Sequence, residues 1–326
     1  MSIPMDKRKF YSFMSHAHID KKIVDELESW LANKAGIPVW YDAHFHQSGT
    51  RLVSELGNIL EQCRSMIILL SKQSVESGWA RNEFDASQSQ RTKYKDDFRV
   101  ISIKVEECEV PAFLEETRLI DLSKSGFDLN AANEFLLSLY PVDPVLELGP
   151  VRDRYISYSQ DENGVQEKNN LKKLFRPVIS SLKRQWRTSP NPRYVFYGTD
   201  LKEEHKDRNK IVRRLIQRVS AMPCLMGEDI RQGHIQQEIT KRVVGAFIMI
   251  ADVSEENLNT CIEAGVAMGA RVPLHLLAGG PRRKPPFMFR DQQIWHYEDD
   301  IELLGIIHNL TLPYRGRTIN SDLVNK

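Results

Sequence analysis

A tryptophan and a glutamate stand one helical turn apart in the stretch "SKQSVESGWARNEF", residues 71–84. Trp79 and Glu83 are four positions apart, so on a helix both side chains would project from the same face. An indole beside a carboxylate suits a ligand with a ring joined to a ribose, because the indole excludes water while the carboxylate binds hydroxyls. The carboxylate could also stabilise an oxocarbenium-like transition state. The plainer interpretation is a core tryptophan and a solvated glutamate.

A second stretch, "ADVSEENLNTCIEAGVAMG", begins at Ala251 and has a similar layout. Ser71 precedes Glu83 by twelve positions, and Ala251 precedes Glu263 by the same twelve. We therefore expect a second nucleotide site at the end of this strand, where nucleotides usually bind. Its predicted residues are Asp252, Asn257, Asn259 and Glu263. The alternative for Glu263 is a charge near a helix start, favoured by the helix dipole.

The elements that must position these residues alternate between strand and helix patterns. Apolar strands such as "RKFYSFM", "SMIILLS" and "FRVISIKV" are separated by helical periodicities, one of them with Asp20 as its expected N-cap. Such β-α repeats predict a parallel sheet with helices on both faces, and ligands bind beyond the carboxyl ends of its strands. Ser77 and Gly78 are expected to start the helix of Trp79 and to keep both side chains near that crevice.

The β-α pattern stops after residue 140 and restarts at Arg193, after the boundary "SPNP". We predict an α/β chain with two tandem flavodoxin-like (Rossmann-like) parallel-sheet domains. The first covers residues 8–140 and the second residues 193–314, followed by a polar tail at 315–326. Residues 141–192 are predicted to be a linker and a connecting helix, because a polar run there precedes apolar residues at helical spacing.

Composition narrows the class of protein. A net charge of +1 gives no reason to expect nucleic-acid or membrane attraction. Four cysteines without CxxC spacing favour a reducing compartment over a disulfide framework or a zinc site. No apolar run is long enough to cross a bilayer, and the start does not resemble a signal peptide. We therefore expect a soluble cytoplasmic protein.

Five segments of the first domain occur together and in order: "FYSFMSHAHID", "GIPVWYDAHFHQSGT", "CRSMIILLSKQSVESGWARNEF", "FRVISIKVEECEVPAFL" and "LIDLS". In this order, with the W-x-x-x-E signature, they resemble a TIR domain. Some TIR domains only bind other TIR domains, whereas others cleave NAD at the nicotinamide–ribose bond. The resemblance implies that Glu83 is catalytic and that NAD is a substrate, with no cofactor. His16 replaces the usual aromatic residue of the first turn.

The resemblance also implies the contacts and context of the reaction. It assigns the loop from Asp42 to Gly49, the BB-loop of the family, to nucleotide contact and self-association. The residues expected to bind the substrate are Ser15, His16, Asp42, His44, Phe45, Ser77 and Trp79. In a bacterium, the implied role is immunity against phage through NAD depletion or a signalling nucleotide. The product would be ADP-ribose or a cyclic ADP-ribose.

Two further patterns are weaker. The pairs His16/His18 and His44/His46 could hold a metal, but alternating loop residues usually point apart, so we predict ordinary histidines and no metal site. The loop "GGPRRKPP", residues 279–286, could clasp a phosphate or be an ordinary surface loop.

The second stretch is similar to the motif of TIR-like nucleotide-binding domains and of the nucleoside deoxyribosyltransferase group. In that group a glutamate of an E-x-G-x-A run attacks or steadies the sugar C1, and Glu263, Gly265 and Ala267 match the run. Three interpretations stay open: a second glycosidase site, a nucleotide sensor that gates the first domain, or a degenerate copy kept for packing. The main hypothesis is an NAD glycohydrolase. Its alternatives are a non-catalytic interaction module and a nucleotide N-glycosidase acting through Glu263.

Overall fold

The computed structural model describes residues 8–41, 52–94, 97–140, 193–230, 235–254, 257–280, 289 and 292–315, and at residues 52–55 and 79 the backbone alone. The chain divides into two compact units. The first comprises Met1–Pro141 with Leu304–Asn309, and the second Val142–Leu303 with Leu310–Lys326. No described helix is both long and apolar enough to cross a membrane. The predicted linker and connecting helix, 141–192, lie outside the described residues, as does the tail from residue 316.

The first unit is built around a five-stranded parallel sheet in the order β2-β1-β3-β4-β5. Its strands are β1 (Phe10–Ser15), β2 (Val39–Tyr41), β3 (Cys63–Leu70), β4 (Arg99–Lys104) and β5 (Arg118–Asp121). Its helices are α1 (Lys21–Asn33), α2 (Leu52–Leu60), α3 (Lys72–Glu76), α4 (Trp79–Tyr94) and α5 (Leu129–Ser138). All strands are parallel, but the chain adds β2 on one side of β1 and β3 to β5 on the other. The strand order therefore reverses between β1 and β3, where Met14 pairs with Ile67. This is the switch point at which sheets of this order bind ligands.

Apolar periodicity explains how these elements pack. β3 is fully buried from Met66 to Leu70, as expected for a central parallel strand. Helix α4 turns a stripe of buried residues towards the sheet and packs against α2. The stripe recurs every three or four positions and comprises Ala80, Glu83, Phe84, Ser87 and Gln90. Polar and apolar side chains thus share the inner face of α4.

The second unit repeats the same topology. Its sheet is also parallel, in the order β10-β9-β8-β6-β7. The strands are β6 (Val195–Gly198), β7 (Cys224–Leu225), β8 (Ile248–Asp252), β9 (Leu274–Gly279) and β10 (Ile294–Tyr297). Its helices are α6 (Lys206–Ser220), α7 (Ile235–Gly245) and α8 (Leu258–Gly269). A last helix, α9 (Asp300–Thr311), is divided between the two units, since its residues Leu304–Asn309 belong to the first. Its switch point lies between β6 and β8, where Gly198 pairs with Ala251.

The predicted fold class is confirmed, because both units are parallel α/β sheets with flanking helices. The details differ where hydrogen bonding, rather than hydrophobicity, decides the length of a strand. The predicted strand "MPCLMG" is reduced to Cys224 and Leu225, because this edge strand pairs with β6 at those two residues. The strand β10, which the apolar pattern did not predict, extends the sheet by pairing with β9.

Candidate active site

Glu83 lies in the second turn of α4, on the buried face of the helix. Only 4% of the residue is exposed. Its neighbours on that face, Ala80 and Phe84, belong to a hydrophobic cluster that also contains Leu56 and Leu70. Glutamate is almost never fully buried unless a specific interaction or function keeps it there. The interpretation of Glu83 as a solvated surface carboxylate is therefore wrong.

The segment before Glu83 is shaped by a tight turn. Ser77 is the C-cap of α3, and its hydroxyl donates a 3.2 Å hydrogen bond to the carbonyl of Ser74. Gly78 has a φ of +66°, a left-handed conformation that glycine adopts without strain, and α4 begins at Trp79. The expectation that Ser77 starts the helix of Trp79 is wrong, because Ser77 closes the preceding helix instead. The side chain of Trp79 lies outside the described residues.

The predicted residues of the first turn lie at the end of β1. Ser15 is the last residue of the strand and is 2% exposed, whereas His16 is half-buried. The His16 ring lies 6.2 Å from the ring of Tyr41, the last residue of β2. The structure therefore brings His16 close to the chain that enters residues 42–51. The other predicted contacts, Asp42, His44 and Phe45, lie outside the described residues, as does His46.

Sequence reasoning missed the role of Asp20. Asp20 occupies the N-cap position of α1, as predicted, but its side chain makes no cap hydrogen bond. Instead, Asp20 Oδ2 accepts a 2.7 Å hydrogen bond from the hydroxyl of Ser71, directly after β3. The signal was available in the topology, since both residues follow strands that are neighbours at the switch point.

Charged groups at the ends of β4 and β5 satisfy one another. The ammonium group of Lys104 lies 2.7 Å from Glu107 and 3.8 Å from Asp121. The hydrogen bond to Glu107 raises the pKa of Lys104 and lowers that of Glu107. The Glu106 carboxylate accepts a 2.6 Å bond from the backbone N–H of Lys72 at the start of α3. These charges are engaged in holding the strand ends.

In the second unit, Glu263 lies in a cradle formed by two glycines. It is 7% exposed on α8, and burial raises its pKa to about 7. A Cβ atom at Gly198, the end of β6, would lie 2.8 Å from Glu263 Oε2; one at Gly227, just after β7, would lie 3.7 Å from Oε1. Thr260, one turn earlier on α8, is 1% exposed, and its hydroxyl makes no hydrogen bond to the described residues. Glu263 is therefore not a solvated charge at a helix start.

Asp252, by contrast, belongs to a closed hydrogen-bond network. Its Oδ2 accepts a 2.8 Å bond from the Tyr297 hydroxyl, and its Oδ1 accepts from the Ser254 hydroxyl. The Arg208 guanidinium lies 3.8 Å from Oδ2. Burial is the main cause that raises the pKa of Tyr297, so the phenol stays a donor. This network joins the ends of β8, β9 and β10, since the N–H of Gly279 donates to Ser254 at 2.6 Å.

The remaining two predicted residues have local roles. Asn257 caps α8, and its side-chain oxygen accepts a 2.9 Å hydrogen bond from the N–H of Asn259. Asn259 itself is exposed. The residues shown beside the Glu263 carboxylate are thus Gly198 and Gly227, neither of which the sequence singled out. The equal spacing to Glu83 and Glu263 does not mean equivalent places, because α3 intervenes before Glu83 whereas Glu263 lies on the first helix after its strand.

Among the residues described, no group of three or more histidine, cysteine, aspartate or glutamate side chains is arranged to hold a metal ion. His16 and His18 are described; their proposed partners His44 and His46 are not. The loop "GGPRRKPP" is described only at Gly279 and Gly280.

Comparison with known proteins places residues 13–137 in a family whose model is described as "TIR domain". Comparison with curated proteins found no significant match. A metazoan TIR-STING receptor from C. gigas matches at 14% identity and TM-score 0.30, over 58% of this chain and 57% of that one.

The same receptor in complex with 2',3'-cGAMP matches at 12% identity and TM-score 0.33, over 62% and 60% of the two chains. The chain thus spans less than two thirds of either receptor chain. The C-terminal domain of glucosamine-fructose-6-phosphate aminotransferase from Francisella tularensis matches at 11% identity and TM-score 0.24, over 95% and 84%.

Proposed function

Because residues 13–137 form a TIR domain, we propose that the first unit cleaves NAD at the nicotinamide–ribose bond, with Glu83 as the catalytic carboxylate. The observation that carries the proposal is the burial of Glu83 on the inner face of α4, one turn after Trp79. A carboxylate shielded from water, in a region of low dielectric constant, stabilises developing positive charge more strongly than one in bulk water. Burial of a carboxylate costs free energy unless its surroundings compensate for it.

The proposed reaction needs one catalytic carboxylate from the protein. The C1–N bond breaks with both electrons going to the pyridinium nitrogen, so neutral nicotinamide leaves and positive charge develops on the ribose. Glu83 stabilises that charge. Attack of water on C1, with loss of a proton, gives ADP-ribose; attack by an adenine nitrogen of the same molecule gives a cyclic ADP-ribose. No general acid is needed, since the leaving group is already cationic in the substrate.

The other predicted residues are proposed to hold NAD rather than to react with it. Trp79 would form the wall beside the ribose, and Ser15 and His16 would contact the nucleotide from the end of β1. Ser77, Asp42, His44 and Phe45 complete the proposed set. Self-association through the BB-loop is proposed to assemble the site.

Replacement of Glu83 by glutamine separates an enzyme from an interaction module. The control is Glu76→Gln, an exposed glutamate in α3 of the same segment. An enzyme loses NAD turnover with Glu83→Gln alone, while self-association measured by light scattering is kept in both variants. A pure interaction module would show no NAD turnover in any of the three proteins, and its self-association would respond to changes in the BB-loop.

A second candidate function is supported by the glycine cradle around Glu263. We propose that the second unit binds a nucleotide through its ribose hydroxyls and thereby controls the first unit, in a bacterium as a defence against phage. A buried carboxylate, with a buried threonine one turn earlier on α8 whose hydroxyl bonds to none of the described residues, suits a ligand with several hydroxyl groups. The alternative is cleavage of the N-glycosidic bond of that nucleotide through Glu263.

Substrate profiling distinguishes these two possibilities. The full-length Glu83→Gln variant is mixed with AMP, ADP-ribose or adenosine, and both binding and base release are measured. Binding that Glu263→Gln abolishes supports the nucleotide site, and release of free base supports the glycosidase. If Glu263→Gln changes neither, the second candidate function is rejected.

A further inference from the structure

The carboxylate of Asp20 accepts a hydrogen bond from a residue after the neighbouring strand β3, and none from the first turn of its own helix. An aspartate directly before a helix ordinarily accepts a hydrogen bond from an N–H of its first turn. Asp20 makes no such bond. Its Oδ2 accepts instead from the hydroxyl of Ser71, 51 positions further along the chain, at 2.7 Å. The residue is 7% exposed, so tertiary contacts fix its position.

Ser71 is itself held firmly. It is the N-cap of α3, and its hydroxyl oxygen accepts a 3.2 Å bond from the N–H of Ser74. The hydroxyl of Ser74 accepts from the N–H of Ser71 at 2.8 Å and donates to its carbonyl at 3.0 Å. A serine hydroxyl carries a single hydrogen. The Ser71 hydroxyl donates that hydrogen to Asp20, and its oxygen accepts from the N–H of Ser74.

The bond joins the two chain segments that border the switch point. One segment follows β1 and carries His16 before it reaches Asp20. The other begins at Ser71 and leads through α3 and Gly78 to Glu83 on α4. β1 and β3 are neighbours in the sheet, and ligands bind between the segments that follow such strands. The bond therefore links these two segments directly beyond the ends of the paired strands.

We infer that Asp20 is a positioning residue of the NAD site: through Ser71, it holds the segment that carries His16 against the segment that leads to Glu83. The inference rests on the proposed function, because it takes NAD as the ligand of this crevice. Asp20 acts through Ser71 and does not touch the reacting atoms. A misplacement of about 1 Å can cost roughly 100-fold in rate, so the bond contributes to catalysis by geometry.

Five full-length variants test the inference: four single substitutions and the double variant Asp20→Ala/Ser71→Ala. Asp20→Ala removes the acceptor, and Ser71→Ala removes the donor. Asp20→Asn keeps a side-chain oxygen that can accept from Ser71 but removes the charge. The matched control is Asp128→Ala: Asp128 is the N-cap of α5 and accepts a 2.8 Å bond from the N–H of Ala131. This control substitution removes a capping aspartate from a helix that is not part of the proposed site. The measurements are kcat and KM for NAD, and the melting temperature.

We expect Asp20→Ala and Ser71→Ala each to lower kcat/KM by about 10- to 100-fold, and the double variant to be no worse than either. Asp20→Asn keeps most of the activity. Asp128→Ala lowers the melting temperature without changing kcat/KM. The inference is overturned if Asp128→Ala lowers kcat/KM as much as Asp20→Ala does. It is also overturned if Asp20→Asn is as inactive as Asp20→Ala, because charge would then matter rather than position.

Hydrogen exchange separates failure of this inference from failure of the proposed function. If the wild-type protein does not cleave NAD, amide exchange is compared across residues 71–84 in wild type, Asp20→Ala and Asp128→Ala. Faster exchange there in Asp20→Ala alone supports the connection between the two segments and rejects only the NAD reaction. Unchanged exchange in that segment overturns the inference.

Discussion

The Glu263 carboxylate of the second unit lies directly over the α-carbon of Gly198, so that a methyl group at Gly198 would come within 2.8 Å of Oε2. No real Cβ atom tolerates such a distance, and the carboxylate would have to move. A side chain at residue 198 is thus accommodated only if the buried Glu263 carboxylate shifts.

Gly198→Ala should destabilise the protein by about 1–3 kcal/mol, because the added methyl group also comes within 2.9 Å of the Met249 methyl carbon. The control is Gly265→Ala on α8, where an added methyl group meets no atom of the described part of the chain within 4 Å. It should stabilise the helix by up to about 1 kcal/mol. Urea denaturation of both variants measures the difference. Equal effects of the two substitutions would show that the cradle is not tightly packed.

The stability of wild type should fall as the pH rises from 4.5 towards 7, relative to Glu263→Gln. Burial raises the folded-state pKa of Glu263 from 4.5 to about 7, so between these values the folded protein binds a proton that the unfolded chain has released. The difference should reach about 3 kcal/mol above pH 7. Thermal unfolding at pH 5 and pH 8 tests this. The prediction would be contradicted if the Glu263→Gln variant were no more stable than wild type at pH 8.

Tyr297→Phe should cost more stability than Tyr194→Phe. Tyr297 donates to the buried carboxylate of Asp252 at 2.8 Å, whereas Tyr194 donates to the backbone carbonyl of Arg242 at 2.6 Å. Bonds to charged groups contribute more, so we expect about 2–3 kcal/mol for the first variant and about 1 kcal/mol for the second. Chemical denaturation measures both, and the reverse order would mean that Arg208 and Ser254 satisfy Asp252 without the phenol.

Gly78→Ala should destabilise the first unit by about 1–2 kcal/mol through backbone strain, because φ is +66° and the added methyl group meets no described atom beyond its chain neighbours within 4 Å. Gly57→Ala on α2 likewise meets no described atom within 4 Å but has no positive φ, so it should be stabilising by up to about 1 kcal/mol. Equilibrium unfolding monitored in both variants gives the comparison. A stabilising Gly78→Ala would show that this turn is not held in the left-handed conformation.

The sequence predicted the two α/β units because apolar strands and helical periodicities are local signals that survive in the folded protein. Side-chain partners are set by topology, and the sequence could not supply them. Asp20 followed the pattern of a helix cap, yet it bonds to Ser71 because β1 and β3 are neighbours. Asp252 looked like a ligand group, yet it bonds to Tyr297 of a strand that the apolar pattern missed.

The common spacing of Glu83 and Glu263 predicted which elements carry them but not which residues surround them. Both glutamates lie on helices that follow central strands, as their common pattern indicated. Both are also buried, which the pattern did not predict. The glycines that surround Glu263 come from β6 and from the turn after β7, far away in the sequence. A pattern within one segment contains no information on those neighbours.

The measurement that most directly tests the central claim is release of nicotinamide from NAD by the purified protein at high concentration, followed by chromatography. Wild type and Glu83→Gln are compared under identical conditions, with Glu76→Gln as the control. The account predicts nicotinamide together with ADP-ribose or its cyclic form from wild type and Glu76→Gln, and none from Glu83→Gln. Nicotinamide release by Glu83→Gln at the wild-type rate would contradict it.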